Sequence, residues 1–531
     1  MRRALPSLLF QALISIGLTL TPAASAPVNN SDRCCRGPNL NSCCRRSSPD
    51  SCCQKSSPVQ CEAPVPQVIV PDAAWTWFND PRALFHRGRL YIGYVRRDGK
   101  SALSAYDVDS GAPTTLWTSS LTEVDDHDNP GLAVLPDNRL IAFYSRHNTD
   151  GFYKYRISNT GDPAAPADWD TDGDGSTDND EYLYRASEPV TYSNPSVLLG
   201  DQGRIFNFSR IIGWDPSLSR FSAAGAPLTR DGEELPFGDP ATASQVIRII
   251  KADVVGDRPY AKYHTDGDHR IDIIYTDGHP RTTTNSMYHL YYEDSAFYET
   301  DGTFLKTLDE APISLDAGEH GTVVYQYSAA PTDDLNDHIP QGRAWTWEVV
   351  RRSDGSPVAA FSVNLPRAAG PDWTGDRIYY YYARYVPGEG WRKKFIAQGG
   401  RPLYMAENQY AGGMALDPDN PDVVYVSSNA ADPFNISTFT DVPLSANQRY
   451  EIYRGITQDG GFTFSWTPIT TDSAQDNLRP YVPRNREDIS ALIWFSGRYT
   501  SYTSFDTRAM GIFERIAQPA GRSISPPPPR P

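Results

Sequence analysis

Cysteine is missing from most of this 531-residue chain, since all seven cysteines lie between Cys34 and Cys61. Everything from about residue 65 onward must therefore hold its fold by packing and hydrogen bonding, without disulfide bonds. Apolar residues at helical spacing are nearly absent after residue 30, which excludes a helical bundle. No later apolar run approaches the roughly 20 residues of a membrane-spanning helix, so we expect no membrane span.

Positive charge is also scarce, because the formal net charge is -16 at pH 7. This balance argues against nucleic acid as a partner. It also disfavours a polyanionic substrate, unless arginine and histidine gather in a cleft and make the local potential positive.

Aromatic residues and turn formers are plentiful, with 31 Tyr, 20 Phe, 11 Trp, 39 Gly and 44 Pro. Short aromatic strands separated by polar turns predict an all-β fold. The phrase Ala-Trp-Thr-Trp occurs twice, at residues 74–77 and 344–347, and strand-turn-strand units recur at intervals of some tens of residues. Repetition of this kind favours a β-propeller over a sandwich.

The two ends of the chain differ from its centre. Residues 1–26 have a basic start, an apolar core and an Ala24-Ser25-Ala26 exit, which predicts a secretory signal and a secreted or periplasmic protein. Residues 27–64 form a Cys-rich repeat, for which we expect disulfide bonds, with metal binding as the alternative. Residues 65–516 make the propeller, and residues 517–531 a Pro-rich tail.

The stretch between Asp126 and Arg210 carries the residues best suited to chemistry. Two hairpins are predicted there, one around the Asp137-Asn138 turn and one around Gly200 to Gly203. His127 and Tyr192 each precede an Asn-Pro step that opens a hairpin, and His147 and Arg210 each follow the returning strand. If the hairpins belong to neighbouring blades, these four side chains converge on one mouth of the ring.

An acidic loop between the two hairpins fits the calcium-loop pattern. Oxygen-bearing residues alternate along it, a glycine stands at the sixth place and a glutamate at the twelfth. The expected ligands are Asp170, Asp172, Asp174, Ser176, Asp178 and Glu181. The alternative is an acidic, solvated turn.

Two further patterns concern metal binding and a structural turn. His279 and His289 lie near one hairpin and are candidate zinc ligands, with hydrogen-bonded strand histidines as the alternative. The segment from Thr457 to Phe464 resembles the Asp-box of sialidase-type propellers, in which the motif fixes a turn and lies away from the chemistry.

Several phrases together resemble one known family: DDHDNPGLAVLPDNRLIAFYSRH, TYSNPSVLL, IYYYYARY, YAGGMALDP and NLRPYVP. They are similar to the BNR-4 propellers that include the ulvan lyases of polysaccharide lyase families 24 and 25. The similarity runs from about Trp75 to Phe513 and implies a seven-bladed propeller that cleaves an anionic uronic-acid polysaccharide. It also implies a structural zinc held by His and Cys, whose histidines would be His279 and His289, although no cysteine follows them.

The resemblance assigns the catalytic cleft to His127, His147, Tyr192 and Arg210. Arg210 would neutralise the uronate carboxylate, assisted by His147. Either His127 is the base and Tyr192 the acid, or Tyr192 does both tasks. We expect neighbouring residues to bind substrate, namely Asn129, Asn194, Trp214 and Arg146.

We therefore expect a secreted, monomeric polysaccharide lyase of the ulvan lyase type, with structural Ca²⁺ and Zn²⁺ as its metals. One alternative is a sialidase-like glycoside hydrolase, which needs an arginine cluster with a Tyr-Glu pair or two carboxylates. The other is a non-catalytic carbohydrate-binding propeller, because one fold supports many functions.

Overall fold

The computed structural model describes residues 65–238, 240–366, 377–404, 406–439 and 443–516. These residues form seven antiparallel blades arranged in a ring, which confirms the all-β, seven-bladed propeller. The proposed signal segment, the Cys-rich segment and the Pro-rich tail lie outside the described residues. No helix in the described part of the chain is long and apolar enough to cross a membrane.

The first strand, β1 (Gln67–Val70), belongs to the last blade, as described below. Blade 1 consists of β2 (Ala83–His86), β3 (Arg89–Val95), β4 (Ser101–Asp107) and β5 (Ala112–Thr118). Blade 2 consists of β6 (Gly131–Val134), β7 (Leu140–Ser145), β8 (Phe152–Ile157) and β9 (Tyr182–Arg185). Blade 3 consists of β10 (Thr191–Leu198), β11 (Arg204–Arg210), β12 (Pro216–Phe221) and β13 (Ile247–Arg248).

Blade 4 is extended to six strands. They are β15 (Ala261–Thr265), β16 (Arg270–Thr276), β17 (Met287–Glu293), β18 (Ala296–Glu299), β19 (Phe304–Thr307) and β21 (Thr322–Tyr325). A small parallel pair lies beside it, made of β14 (Ile250–Lys251) and β20 (Ile313–Ser314).

Blade 5 consists of β22 (Arg343–Arg351), β23 (Pro357–Leu365), β24 (Arg377–Val386) and β25 (Gly390–Gly400). Blade 6 consists of β26 (Met414–Leu416), β27 (Val423–Ser428), β28 (Glu451–Ile456) and β29 (Ser465–Pro468). Blade 7 contains β30 (Asp476–Tyr481), β31 (Ile489–Ser501) and β32 (Ser504–Arg515). Its fourth strand is β1, which pairs antiparallel with β32 and so closes the ring.

Helix in the described residues is confined to 3-10 turns. They are Asp126–Asp128, Pro166–Asp168, Ile212–Trp214, Pro240–Gln245, Leu308–Glu310 and Leu315–Ala317.

From blade 1 to blade 7, the first strand of each blade contacts the first strand of the blade that follows it in the chain. Close packing there depends on small residues. A Cβ on Gly131, at the start of β6, would lie 2.3 Å from the carbonyl oxygen of Ser193 in blade 3. Only glycine permits this approach, so Gly131 fixes the distance between the two blades that carry the candidate site.

The two Ala-Trp-Thr-Trp phrases meet at the centre of the ring. Trp77 stacks on Trp347 with ring centroids 4.3 Å apart, and Trp345 packs edge-on against Trp77 at 4.8 Å. Burying three indoles in one place contributes several kcal/mol of hydrophobic stabilisation, at about 25 cal/mol per Å². This aromatic floor also contacts Tyr410, which reaches the candidate site.

The segment predicted to be an Asp-box forms the turn between β28 and β29. Asp459 Oδ1 accepts hydrogen bonds from the backbone N–H groups of Phe462 and Thr463 at 3.0 and 2.9 Å, and Phe464 packs edge-on against Tyr382 at 5.4 Å. The strand directions place this turn at the opposite end of blade 6 from Tyr410. The motif therefore stabilises the fold and lies away from the candidate site.

Candidate active site

The four side chains singled out in the sequence come together at one end of blades 2 and 3. His127 lies in the 3-10 turn Asp126–Asp128 that precedes β6, and His147 follows β7. Tyr192 is the second residue of β10, and Arg210 is the last residue of β11. Because these hairpins are antiparallel, the start of each first strand and the end of each second strand share one rim.

The two imidazoles share one carboxylate. Asp125 is 4% exposed, and its Oδ1 and Oδ2 accept hydrogen bonds from His127 Nδ1 at 2.6 Å and His147 Nδ1 at 2.8 Å. The rings stack with centroids 4.0 Å apart and an interplanar angle of 14°. Asp125 also caps the 3-10 turn by accepting from the His127 backbone N–H at 2.9 Å, so the same residue positions both rings.

The shared carboxylate gives the imidazoles opposite protonation states. Burial disfavours charge on His127, but Asp125 and Asp126 outweigh it and raise the pKa of His127 to about 9. Burial and the neighbouring charge of His127 lower the pKa of His147 to about 4. These shifts favour an imidazolium at His127 and a neutral ring at His147 near neutral pH, so they do not support the alternative in which neutral His127 is the general base.

The hydrogen-bond partners of His147 indicate which of its ring nitrogens carries the proton. Its Nδ1 carries the proton and donates to Asp125, so Nε2 is free to accept from an Arg210 N–H across 3.4 Å. His127 Nε2 faces the hydroxyl of Tyr410 at 3.3 Å and, as an imidazolium, donates to it.

Arg210 lies between two tyrosines. Its guanidinium carbon is 4.9 Å from the ring centre of Tyr192 and 5.4 Å from that of Tyr260, and one N–H donates to the Tyr260 hydroxyl at 2.9 Å. The Tyr192 hydroxyl is buried and has no hydrogen-bond partner among the described residues. Tyr192 also holds a left-handed backbone, with φ of 70°, a strain typical of functional positions.

The two phenols have different acidities. Burial and the charge of Tyr260 raise the pKa of Tyr192 well above its usual value, against the opposing effect of Arg210. Burial also acts to raise the pKa of Tyr260, but the charges of Arg210, Arg258 and His127 outweigh it and bring that pKa below its usual value. Tyr260 is thus the phenol of the pair that ionises more readily.

Tyr260 was missed by the sequence analysis, although a signal for it was present. It directly precedes β15, the first strand of blade 4, just as His127 precedes β6 in blade 2. His279 lies beside it, with ring centroids 5.3 Å apart, and its pKa is lowered well below the usual value by burial and by nearby arginines. In blades 2 and 3 a candidate residue lies at or just before the first strand. The same position in blade 4 is occupied by Tyr260.

Three of the four residues expected to bind substrate form hydrogen bonds or an ion pair with other residues of the chain. Asn129 Oδ1 accepts from the Thr76 backbone N–H at 3.0 Å, and Asn194 Oδ1 accepts from that of Asp80 at 3.0 Å. Both amides are buried and join blades together. Arg146 pairs with Glu123 at 3.3 Å. The fourth, Trp214, is 37% exposed on the same rim as Arg210.

The acidic loop brings together only part of the expected calcium set. Asp170, Asp172 and Asp174 each offer an oxygen, and these oxygens lie within 4.8 Å of one another. Glu181 does not join them. Its carboxylate pairs with Arg156 at 2.9 Å and with Lys154 on the adjoining strand β8, so the twelfth position of the pattern points away from the loop.

The histidines expected to bind zinc do not form a pair. His279 follows β16 and lies in the candidate site, whereas His289 lies within β17. His289 Nε2 contacts Asp272 at 3.2 Å and Nδ1 contacts the Thr300 hydroxyl at 2.8 Å. Neither histidine belongs to a potential metal-binding cluster of three or more ligands among the described residues, so the geometry adds no support to the zinc expectation.

The site thus joins a guanidinium, two phenols and two unlike imidazoles at one rim of a seven-bladed propeller. Residues 89–399 match the BNR repeat-containing family, and the chain belongs to that family. Among curated proteins none matches the sequence.

Solved structures with a similar fold include a family PL25 polysaccharide lyase, an ulvan lyase bound to -[GlcA(1-4)Rha3S]-. Its identity to this chain is 13%, the TM-score is 0.54, and the match covers 83% of this chain and 93% of that one. A second structure described as a PL25 ulvan lyase has 12% identity and a TM-score of 0.55 with the same coverage. At this identity the likeness establishes the fold alone.

Proposed function

We propose that this protein is a polysaccharide lyase that cleaves an ulvan-type chain at its uronic acid by β-elimination. The observation that carries the proposal is the buried Arg210, which contacts one phenol of lowered pKa, one phenol of raised pKa and a neutral imidazole. The fold shared with ulvan lyases supports the same reaction class.

Arg210 is suited to hold the uronate carboxylate. Removal of the C5 proton places negative charge on that carboxylate, so a cation must neutralise it in the transition state. A guanidinium forms paired hydrogen bonds to a carboxylate and stays charged at every working pH. His147 Nε2 accepts a hydrogen bond from one N–H of Arg210 and thereby helps to orient the guanidinium group.

The two phenols suit the two proton transfers. The Tyr260 phenolate, stabilised by Arg210, takes the C5 proton, and the C5–H electrons form the C4=C5 double bond as the C4–O bond breaks. Tyr192, which keeps its proton because its pKa is raised, donates that proton to the departing oxygen. A proton passing from Tyr260 to Tyr192, whose ring centroids lie 6.2 Å apart, then restores the starting state.

The imidazolium of His127 acts through its charge. It is one of the cations that lower the pKa of Tyr260, and Asp125 keeps it protonated. In this proposal His127 is therefore a positioning and electrostatic residue, which differs from the sequence-based alternative in which it is the base.

The test follows the absorbance of unsaturated uronate released from ulvan. Tyr192→Phe, Tyr260→Phe and Arg210→Ala should each lower kcat by at least about 100-fold, the lower end for loss of one acid–base group. Tyr298→Phe, a change of the same size on the outer part of blade 4, serves as the matched control. Circular dichroism checks that each variant is folded. Normal turnover by folded Arg210→Ala would disprove the proposal.

The same assay separates the alternatives. A glycoside hydrolase would release reducing ends without new absorbance, and a binding protein would do neither. The carboxylates nearest the imidazoles are poorly placed for hydrolysis, because Asp125 holds both rings and Asp126 holds Arg479 and Tyr499 at 2.6 Å each. This arrangement favours elimination.

Three further features belong to the proposal. The sequence of residues 1–26 supports secretion, and the protein is proposed to act as a monomer. Asp170, Asp172 and Asp174 are proposed to hold one Ca²⁺, since hard oxygen donors suit that ion and solvent can complete its shell.

A further inference from the structure

Arg258 is a cation to which the proposed mechanism gives no contact with substrate, although its charge helps to lower the pKa of Tyr260. No carboxylate of the described residues lies within 4.0 Å of its guanidinium, and its buried Nε has no hydrogen-bond partner. A half-buried guanidinium without an anion is costly, because it loses hydration and gains no ion pair in return. The unused donors of Arg258 therefore indicate a position for an anionic group.

Arg258 lies over the indole of Trp214, with its guanidinium carbon 5.4 Å from the ring centre. Both residues hold a left-handed backbone, with φ of 60° for Arg258 and 67° for Trp214. Each such residue costs about 1–2 kcal/mol, which the surrounding structure must offset. The fold thus maintains two strained backbone positions at this pair, as is common at functional sites.

Contacts on both sides of Trp214 fix it further. The Gly213 N–H donates to Glu188 at 2.8 Å, and Asp215 accepts from Arg248 Nε at 2.8 Å and from the Ala252 N–H at 3.1 Å. A fixed, partly exposed indole is a suitable platform for one face of a sugar ring, since it loses little side-chain entropy on binding.

The platform adjoins the candidate active site. Trp214 follows Arg210 by four residues and Arg258 precedes Tyr260 by two. The charge of Arg258 also acts on Tyr260 and His279, lowering the pKa of each. Trp214 and Arg258 therefore lie next in sequence to the residues that we propose to act on the uronate.

We propose that Trp214 and Arg258 form a subsite for the sugar beside the uronate, and that Arg258 binds an anionic substituent of that sugar. A sulfate ester or a second carboxylate would satisfy its unused donors. This inference rests on the proposed function and adds to it a preference for chains that carry two anionic groups on successive sugars.

The experiment compares ulvan with chemically desulfated ulvan and with an unsulfated polyuronate. Arg258→Gln should raise KM about 10- to 100-fold on a chain with the second anion, as expected for a lost charge-assisted contact. Because Arg258 also helps to lower the pKa of Tyr260, any fall in kcat should be the same on all three chains, whereas the rise in KM should depend on the second anion. On desulfated ulvan, wild type and variant should have the same KM. A rise in KM on ulvan alone indicates that Arg258 binds a sulfate ester. A rise in KM on the polyuronate indicates that it binds a carboxylate.

Arg392→Gln is the matched control, since Arg392 also lies over an aromatic ring, that of Phe462 at 5.6 Å, but at the opposite end of the blades. Equal KM changes on ulvan and desulfated ulvan, with no effect on the polyuronate, would overturn the inference, as would no change on any chain. Binding is also measured by affinity electrophoresis in the Tyr192→Phe background. If Arg258→Gln selectively lost binding but wild type cleaved no chain, the lyase proposal would be disproved and the subsite would still be supported.

Discussion

Asp125→Asn is the change whose consequences the site defines most sharply. The wild-type carboxylate accepts from both imidazole Nδ1–H groups, at 2.6 and 2.8 Å. An asparagine of the same shape accepts from only one of them and turns its NH₂ donors toward the other. It also removes the buried negative charge that keeps His127 protonated.

The size of the effect follows from the pKa of His127, which rises from 6.5 to about 9. This difference corresponds to about 3 kcal/mol, at 1.36 kcal/mol per unit, and Asp126 supplies part of it. The raised pKa stabilises the folded protein fully below pH 6.5, and this contribution is lost as the pH rises through 9. Without Asp125 the burial of His127 remains, so the pKa of His127 should fall by at least 1 to 2 units, in proportion to the lost charge.

His147 contributes with the opposite sign. Its pKa is lowered to about 4, so its contribution is present above pH 6.5 and is lost as the pH falls through 4. The two imidazoles together predict greatest stability between these limits, and the Asp125 variant should lose stability mainly at neutral pH.

The assay is kcat/KM for ulvan and the urea unfolding free energy, each from pH 5 to 10. Wild-type activity should fall as the pH rises through 9, because neutral His127 no longer lowers the pKa of Tyr260. In Asp125→Asn that fall should begin at lower pH, and unfolding should be about 2–4 kcal/mol easier at pH 7. Asp137→Asn, in an exposed turn, is the control. The reasoning would be refuted if kcat/KM of Asp125→Asn still fell only near pH 9 and its unfolding free energy were unchanged.

Two other predictions concern the scaffold. Gly131→Ala should destabilise the protein by about 1–3 kcal/mol and lower activity, because its Cβ would meet the Ser193 carbonyl that neighbours Tyr192, whereas Gly151→Ala meets only ordinary contacts of 3.4 Å and should be tolerated. Millimolar Ca²⁺ should raise the melting temperature of wild type and have less effect on Asp172→Asn, and an equal response in calorimetry would contradict the calcium proposal.

Local signals were enough to predict the hairpins of blades 2 and 3. Asn138 adopts φ of 71° in the predicted turn, and the strands on either side pair antiparallel as expected. Once the hairpins are consecutive blades, the shared rim of His127, His147, Tyr192 and Arg210 follows from antiparallel pairing. The sequence could therefore predict the fold and the meeting of these four residues.

Protonation states and long-range partners could not be predicted in this way. The charge of His127 depends on Asp125, only two residues away, but also on burial, which spacing does not reveal. Glu181 fits the calcium pattern in sequence, yet Lys154 and Arg156 on β8 draw it away. A ligand pattern specifies residue types, whereas the direction of a long side chain is decided by charges that arrive from another strand.

The net charge of -16 is compatible with an anionic substrate because the acidic groups near the site are already paired. Asp125 is neutralised by His127, and Asp126 by Arg479. Among the described residues no carboxylate pairs with Arg210 or Arg258, so the rim keeps two cations that an anionic sugar can contact. Repulsion between the distant acidic surface and a polyanion is screened beyond a Debye length of about 8 Å, whereas the buried guanidinium acts at contact distance. Local pairing, and not the overall charge, therefore decides which polymer can approach this rim.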